Sequence, residues 1–261
     1  MTLVLIVTTI GPTQPWIYAA AWGATGTLAG LVTALRTGWR PVLGGAASWT
    51  WSHRRTSRYL FLEIASAYGS VQFAIVLVSV VSGPAAAGAF RGVQTLLGPV
   101  NVVGMAATAF IFPGLVRRPT LTRRARLAIA AAFSLALAIA NLLYGIVLLN
   151  LPFAVGAAIL GETWVYSEAV ILPFIIWAAA VGLSLGPLAV LQSNGHARAA
   201  ALCSVALVPL VLLGTAIGIH LDGFRGTAFG IMSAQAAILI AWWAALWAAA
   251  HDDKHLVSQN L

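Results

Sequence analysis

The chain has 261 residues, of which 61% are hydrophobic and only 8% charged. Soluble chains carry roughly 25% charged residues, so this composition excludes a water-soluble enzyme, and it holds too much apolar surface to stay unfolded in water. The net charge of +8 does not point to nucleic acid. Five of the Lys/Arg residues lie between Arg36 and Arg58 and five more between Arg117 and Arg126, each group flanked by long apolar stretches. That is how basic loops are held on the inner side of a membrane, and it is not a nucleic-acid footprint.

A spanning helix needs roughly 20 predominantly apolar residues. In chain order the sequence first offers the short run Leu3–Ile10, ending at Gly11-Pro12, which reads as the tail of a further helix. Seven full-length stretches follow, at residues 16–35, 61–82, 93–116, 127–150, 169–191, 199–219 and 228–249. The expected fold is therefore all-α, a polytopic transmembrane helix bundle in the cytoplasmic (plasma) membrane.

Basic residues set the expected orientation. Arg36, Arg40, Arg54, Arg55 and Arg58 mark one loop as inner; Arg117, Arg118, Arg123, Arg124 and Arg126 mark a second, and His196 with Arg198 a third. The intervening loops carry little bias: Arg91, then Glu162 and Glu168, then Asp222 with Arg225. One alternating scheme fits all seven spans, with residue 16 starting outside and the C-terminal tail inside. Trp16 and Trp164 are expected at the outer interface, with Trp242, Trp243 and Trp247 near the inner end of the last span. Trp39, Trp49 and Trp51 fall among basic residues, so residues 39–58 read either as a segment lying on the inner membrane surface or as an irregular wet loop.

Proline interrupts the spans at Pro99, Pro113, Pro173, Pro187 and Pro209, removing backbone hydrogen bonds that neighbours or a watery cavity must replace. Glycines at four-residue spacing, Gly26/Gly30, Gly182/Gly186, Gly214/Gly218 and Gly226/Gly230, are expected to let backbones approach closely. Gly182-Leu-Ser-Leu-Gly186 also matches the G-x-S-x-G pattern of hydrolases. That pattern requires a strand–turn–helix and a histidine partner, so within a span it reads as packing.

The third span is the most informative. Arg91, Gln94, Gly98, Asn101, Met105 and Thr108 recur at steps of three and four and so share one helix face, with Thr95 off it. In the second span Tyr68, Gln72, Ser79 and Ser82 form a similar stripe. Polar groups facing lipid lack partners, so both stripes are expected to face the bundle interior or water, either lining a shared cavity or bonding helix to helix. The guanidinium of Arg91 suits a phosphate because it offers a permanently charged bidentate fork, although it also reads as a side chain reaching for the interface. Glu63, near the start of the second span, is expected to pair with Arg58 or face water in preference to carrying protons, and it is the one acidic candidate within a span for the ion coupling that an antiporter needs. One cysteine, Cys203, lies in an apolar run, and no Cys/His spacing reads as a metal site. No Walker A sequence is present, and no cofactor is expected.

The stretch Gly83-Pro-Ala-Ala-Ala-Gly-Ala-Phe-Arg-Gly-Val-Gln-Thr-Leu-Leu-Gly-Pro-Val-Asn-Val-Val resembles the seventh-to-eighth helix region of polysaccharide exporters. These belong to the multidrug/oligosaccharidyl-lipid/polysaccharide flippase superfamily. The run Gly182-Leu-Ser-Leu-Gly-Pro-Leu-Ala-Val-Leu-Gln-Ser-Asn-Gly-His-Ala-Arg is similar to their tenth helix and following loop. The resemblance covers residues 16 to about 250. It implies that 1–35 is the remnant of an N-terminal lobe, 36–60 a basic linker, 61–250 a six-helix C-terminal lobe and 251–261 an inner tail.

It further implies alternating-access export of a lipid-linked oligosaccharide or polysaccharide precursor, with a missing N-terminal lobe or a second copy as partner. Arg91 would hold the phosphate, with Gln94, Asn101, Thr108, Tyr68 and Gln72 lining the path. A multidrug-type antiporter of the same superfamily and a non-transporting scaffold of cell-envelope assembly are the alternative readings. The orientation has a direct test: a topology reporter fused after Leu261 is expected to report from the inside and one inserted at Glu162 from the outside. The reverse pattern would overturn the scheme.

Overall fold

The computed structural model describes residues 15–38, 43–118 and 120–258. The runs Leu3–Ile10 and Gly11-Pro12, together with Trp39 and Arg40, lie outside the described residues. So do the side chains of Trp16 and of the tail beyond Ala249. The described residues form helices and no strands: α1 (Pro15–Thr37), α2 (Ala46–Ser82), α3 (Pro84–Leu96), α4 (Gly98–Val116), α5 (Arg123–Leu149), α6 (Phe153–Leu160), α7 (Trp164–Glu168), α8 (Ile171–Ser193) and α9 (Ala197–Ser258). The chain is all-α. Five helical stretches among the described residues are long and apolar enough to cross a membrane: Ala47–Ser82, Gly98–Val116, Arg123–Leu149, Ile171–Ser193 and Ala197–Ala249. The sequence reading has seven. Residues 199–219 and 228–249 fall within the single element α9, and residues 16–35 fall within α1, which is not among the five.

By internal packing the chain forms two compact units, residues 1–54 and 55–261. In the first unit, α1 carries Gly26 and Gly30, but a Cβ added to either would meet nothing within 4 Å. The close approach expected of that pair is not made there.

α2 is longer than its apolar window because no glycine or proline interrupts it between Ala46 and Tyr68. Residues 46–60, read from sequence as part of a linker, are thus continuous with the helix that follows. Gly83 ends α2 in a left-handed conformation (φ 86°), and Pro84 opens α3 at its first turn, where its missing N–H costs nothing. Between α3 and α4 the backbone stays close to helical: Leu97 N–H bonds to Val93 O at 2.9 Å and Asn101 N–H to Leu97 O at 3.1 Å. The interruption at Pro99 is where the sequence places it. α5 starts at Thr122, whose hydroxyl accepts the N–H of Ala125 at 3.3 Å and caps one orphan donor.

In the second unit α8 is the central helix. Some 67% of its apolar window is buried, against 11% for α4. It packs against α5 and α9, and less extensively against α3 and α4. Gly182 and Gly186 make the contact with α5: a Cβ on Gly182 would press on Leu137 and Ala138 backbone, and one on Gly186 would strike Ala130 O and Ser134 Oγ. Ser134 closes the seam, donating to Leu183 O at 3.0 Å and accepting from Gly186 N at 3.1 Å.

α9 reverses at Asp222 and Gly223, whose backbones leave the helical region; Gly223 is left-handed at φ 55°. Its two arms pack glycine on glycine. A Cβ on Gly218 would strike Gly226 O, one on Gly226 would strike Gly218 O, and Gly214 and Gly230 face each other in the same way. Both pairs are equidistant from Asp222. So is the contact of Cys203 Sγ with Ala241 O at 3.8 Å, so the antiparallel register persists for several turns. A core of Val78, Phe90, Val93, Leu97, Phe174, Leu191, Ile231 and Leu246 fills the remaining space.

The segment between α5 and α8, expected to be a plain loop, is structured. Trp164, placed by sequence at the outer interface, is 1% exposed and lies against Gly156 of α6, where a Cβ would collide with the indole. Its ring is covered by protein, because Gly156 leaves a recess of matching shape. Trp242 is likewise buried, whereas Trp49, Trp51 and Trp247 are exposed.

Gly218→Val should weaken the bundle by about 1–3 kcal/mol or more through overpacking of backbone on backbone. Gly26→Ala, in open space, should cost nothing and can gain up to about 1 kcal/mol in helix propensity. Denaturation of the detergent-solubilised protein checks both; equal effects would contradict the packing described here.

Candidate functional site

The buried face of α3 consists of Ala86, Ala89, Phe90, Gly92, Val93 and Leu96. Small residues there admit the connecting segment: Ser167 Oγ donates to Ala89 O at 3.3 Å, and Gly92 is pressed by Ser167 and Leu160. Phe90 meets Phe174 of α8 edge-to-face at 5.2 Å between centroids. Tyr144 OH of α5 donates to Leu96 O at 2.9 Å. These contacts fix the opposite face, on which Arg91 is exposed.

The polar stripe does not turn into the interior of this chain. Arg91, Asn101 and Met105 are exposed, and Gln94, Gly98 and Thr108 are half-buried. On α2, Tyr68 and Gln72 are exposed, while Glu63, Ser70, Ala74 and Val78 lie on the buried face. The interior is already filled by the apolar faces of both helices, which leaves the polar ones outside.

Three of the sequence-selected residues come together. The Arg91 guanidinium donates to Gln72 Oε1 across the α2–α3 gap and to Gln94 Oε1 at 3.3 Å. Tyr68 lies one turn from Gln72 on the same face. Thr95 Oγ1 donates to Arg91 O at 2.9 Å. Asn101 and Thr108 lie further along α4, and Thr108 Oγ1 is engaged by Gly104 O at 2.8 Å. Neither bonds to Arg91. Both of the latter's partners are neutral amides, so its positive charge is oriented without being neutralised.

A second polar group is built around Glu63, and its partner differs from the one expected. Glu63 does not pair with Arg58, whose guanidinium donates instead to Tyr59 OH at 2.9 Å. Glu63 is 8% exposed, and its Oε2 accepts from Gln192 Nε2 at 3.4 Å. Nearby in sequence, Asn194 Oδ1 accepts from Arg126. Gln192 lies in the last turn of α8 and Asn194 is the residue that ends it.

Ser184, the central residue of the G-x-S-x-G match, donates to Ala180 O at 3.0 Å and accepts from Gln235 Nε2 of α9 at 3.3 Å. Its hydroxyl is thus held between two helices, while the flanking glycines serve the α5 seam.

No family model matches the chain, and neither the curated proteins nor the solved structures contain a match to it.

Because Arg91 is exposed and its partners are neutral, Arg91→Ala should change folding stability by no more than about 0.5 kcal/mol. A much larger loss in detergent melting would make Arg91 a structural residue instead of an available charge.

Proposed function

We propose that this chain moves a lipid-linked oligosaccharide or polysaccharide precursor across the cytoplasmic membrane by alternating access. In this reading residues 61–250 act as the C-terminal lobe of a two-lobed flippase, spanning the membrane with the C-terminal tail inside. The observation that carries the reading is Arg91: a permanent cation on an exposed polar helix face, aimed by Gln72 and Gln94 and neutralised by neither. In hydrocarbon such a face is costly, so it belongs against water, a polar partner or an anionic ligand. A phosphate meets that requirement, because its oxygens accept the guanidinium's parallel N–H donors.

The mechanism divides the substrate by polarity. The phosphate engages Arg91, the sugar hydroxyls exchange hydrogen bonds with Tyr68, Gln72, Gln94, Asn101 and Thr108, and the lipid tail stays in the bilayer. A second lobe rocking against this face closes it alternately to either side. The resemblance of residues 83–103 and 182–198 to polysaccharide exporters supports the same reading, as does the alternation of basic loops.

Hydrogen bonds to a charged group contribute about 1.5–3 kcal/mol, so Arg91→Ala should lower export by roughly tenfold or more at unchanged protein level. Arg91→Lys should retain part of it, since charge survives but the bidentate fork does not. Export of the lipid-linked saccharide in cells, normalised to membrane-inserted protein, is the measurement; unchanged export in Arg91→Ala would sink the phosphate role.

A further inference from the structure

We infer that a recess at the start of α5 binds a phosphate group. The recess is an open cavity of about 440 Å³, lined among the described residues by Thr122, Arg123, Arg124 and Leu127. Pockets for small ligands run from about 300 to 1,000 Å³, so the space suffices. Two of these side chains carry a permanent positive charge. Among the described residues, neither guanidinium has a hydrogen-bond or ion-pair partner.

Arg123 is held in place by packing. Its guanidinium carbon lies over the Trp247 ring of α9, 5.5 Å from the centroid, and its Nε is buried without a hydrogen-bond partner. Attraction to the indole face fixes where the fork sits before any ligand arrives. Arg124, the next residue, is exposed. Arg126 is committed elsewhere: it donates to Leu121 O at 3.3 Å and to Asn194 Oδ1 at the end of α8. The basic run thus divides into one arginine that ties α5 to α8 and two that border the recess.

Two guanidiniums without a counter-charge select an anion, and phosphate oxygens match their parallel N–H donors. The first turn of α5 adds positive potential from the helix dipole. The Thr122 hydroxyl accepts the N–H of Ala125 at 3.3 Å, which leaves its O–H as a donor. Leu127 and the exposed Trp247 ring put apolar surface beside these charges. Charge at a helix end, flanked by apolar side chains, fits a phospholipid headgroup, whose phosphate is joined to acyl chains. Inorganic phosphate shares the charge chemistry and lacks the chains. Arg91 takes no part in this site, which rests on no element of the flippase reading.

The test uses the purified full chain in detergent, titrated with phosphatidylglycerol and, separately, phosphatidylcholine, with bound lipid counted by native mass spectrometry. Phosphatidylglycerol should bind saturably and phosphatidylcholine more weakly. Replacing both arginines, Arg123→Gln with Arg124→Gln, should raise the half-saturation concentration by roughly tenfold or more, since charge-assisted hydrogen bonds are lost. Arg124 is exposed, so Arg124→Gln alone should keep the fold and show a smaller rise. A charge-matched control on the exposed surface of α2, Arg54→Gln with Arg55→Gln, should bind like the wild type.

Inorganic phosphate then separates the two sources. Displacement of the lipid by inorganic phosphate alone identifies a site for soluble phosphate; saturable lipid binding that resists it identifies the headgroup of a lipid. Undiminished binding of phosphatidylglycerol to the Arg123/Arg124 double variant would refute the inference. An equal loss of binding in the α2 control would do the same, because it would reduce the effect to overall charge.

Discussion

Backbone-to-backbone contact at glycine is the constraint on which the bundle rests. Between helices in lipid the hydrophobic effect is weak, and cohesion comes from close packing and interhelical hydrogen bonds. Gly182 and Gly186 let α8 sit on the backbone of α5, and Gly214, Gly218, Gly226 and Gly230 let the two arms of α9 touch. α8 then has α5 on one side and α9 on the other. Polar side chains are used sparingly and at the seams: Ser134 bridges α5 to α8, and Gln235 bridges α9 to Ser184.

The division of labour between faces follows from that packing. Once α3 has committed Ala89, Phe90, Gly92 and Val93 to the interior, its periodicity leaves Arg91 and Gln94 on the other side. The same holds for α2, where Glu63, Ser70, Ala74 and Val78 face inward and Gln72 faces out. Polarity on the outer face of a membrane helix is not a folding device for this chain, since nothing in the core depends on it. Such a face suits water, a polar partner or a ligand and not hydrocarbon.

Much of this was legible in the sequence, for reasons that also explain the gaps. Helical class and the α5, α8 and α9 segments follow from long apolar runs, which have few other outcomes. The pairs 182/186, 214/218 and 226/230 announced close approach because glycine has no other advantage at that spacing. The same pattern at 26/30 finds no partner in its own unit, so spacing alone does not distinguish a used seam from an unused one. Gln72, Arg91 and Gln94 were brought together by simple helix periodicity on adjacent elements. The connection of Glu63 to Gln192 spans 129 residues, and no local pattern encodes so distant a contact. The burial of Trp164 was not legible for a related reason: an aromatic near a span end suits a recess beside Gly156 as well as a lipid headgroup.

α2 ties the two polar sites into one mechanical unit. Glu63 and Gln72 are nine residues apart on a continuous helix, a rise of roughly 14 Å, and they point to opposite faces. Gln72 orients Arg91, so a displacement of α2 at the Glu63 end is carried along a stiff rod to the guanidinium's partner.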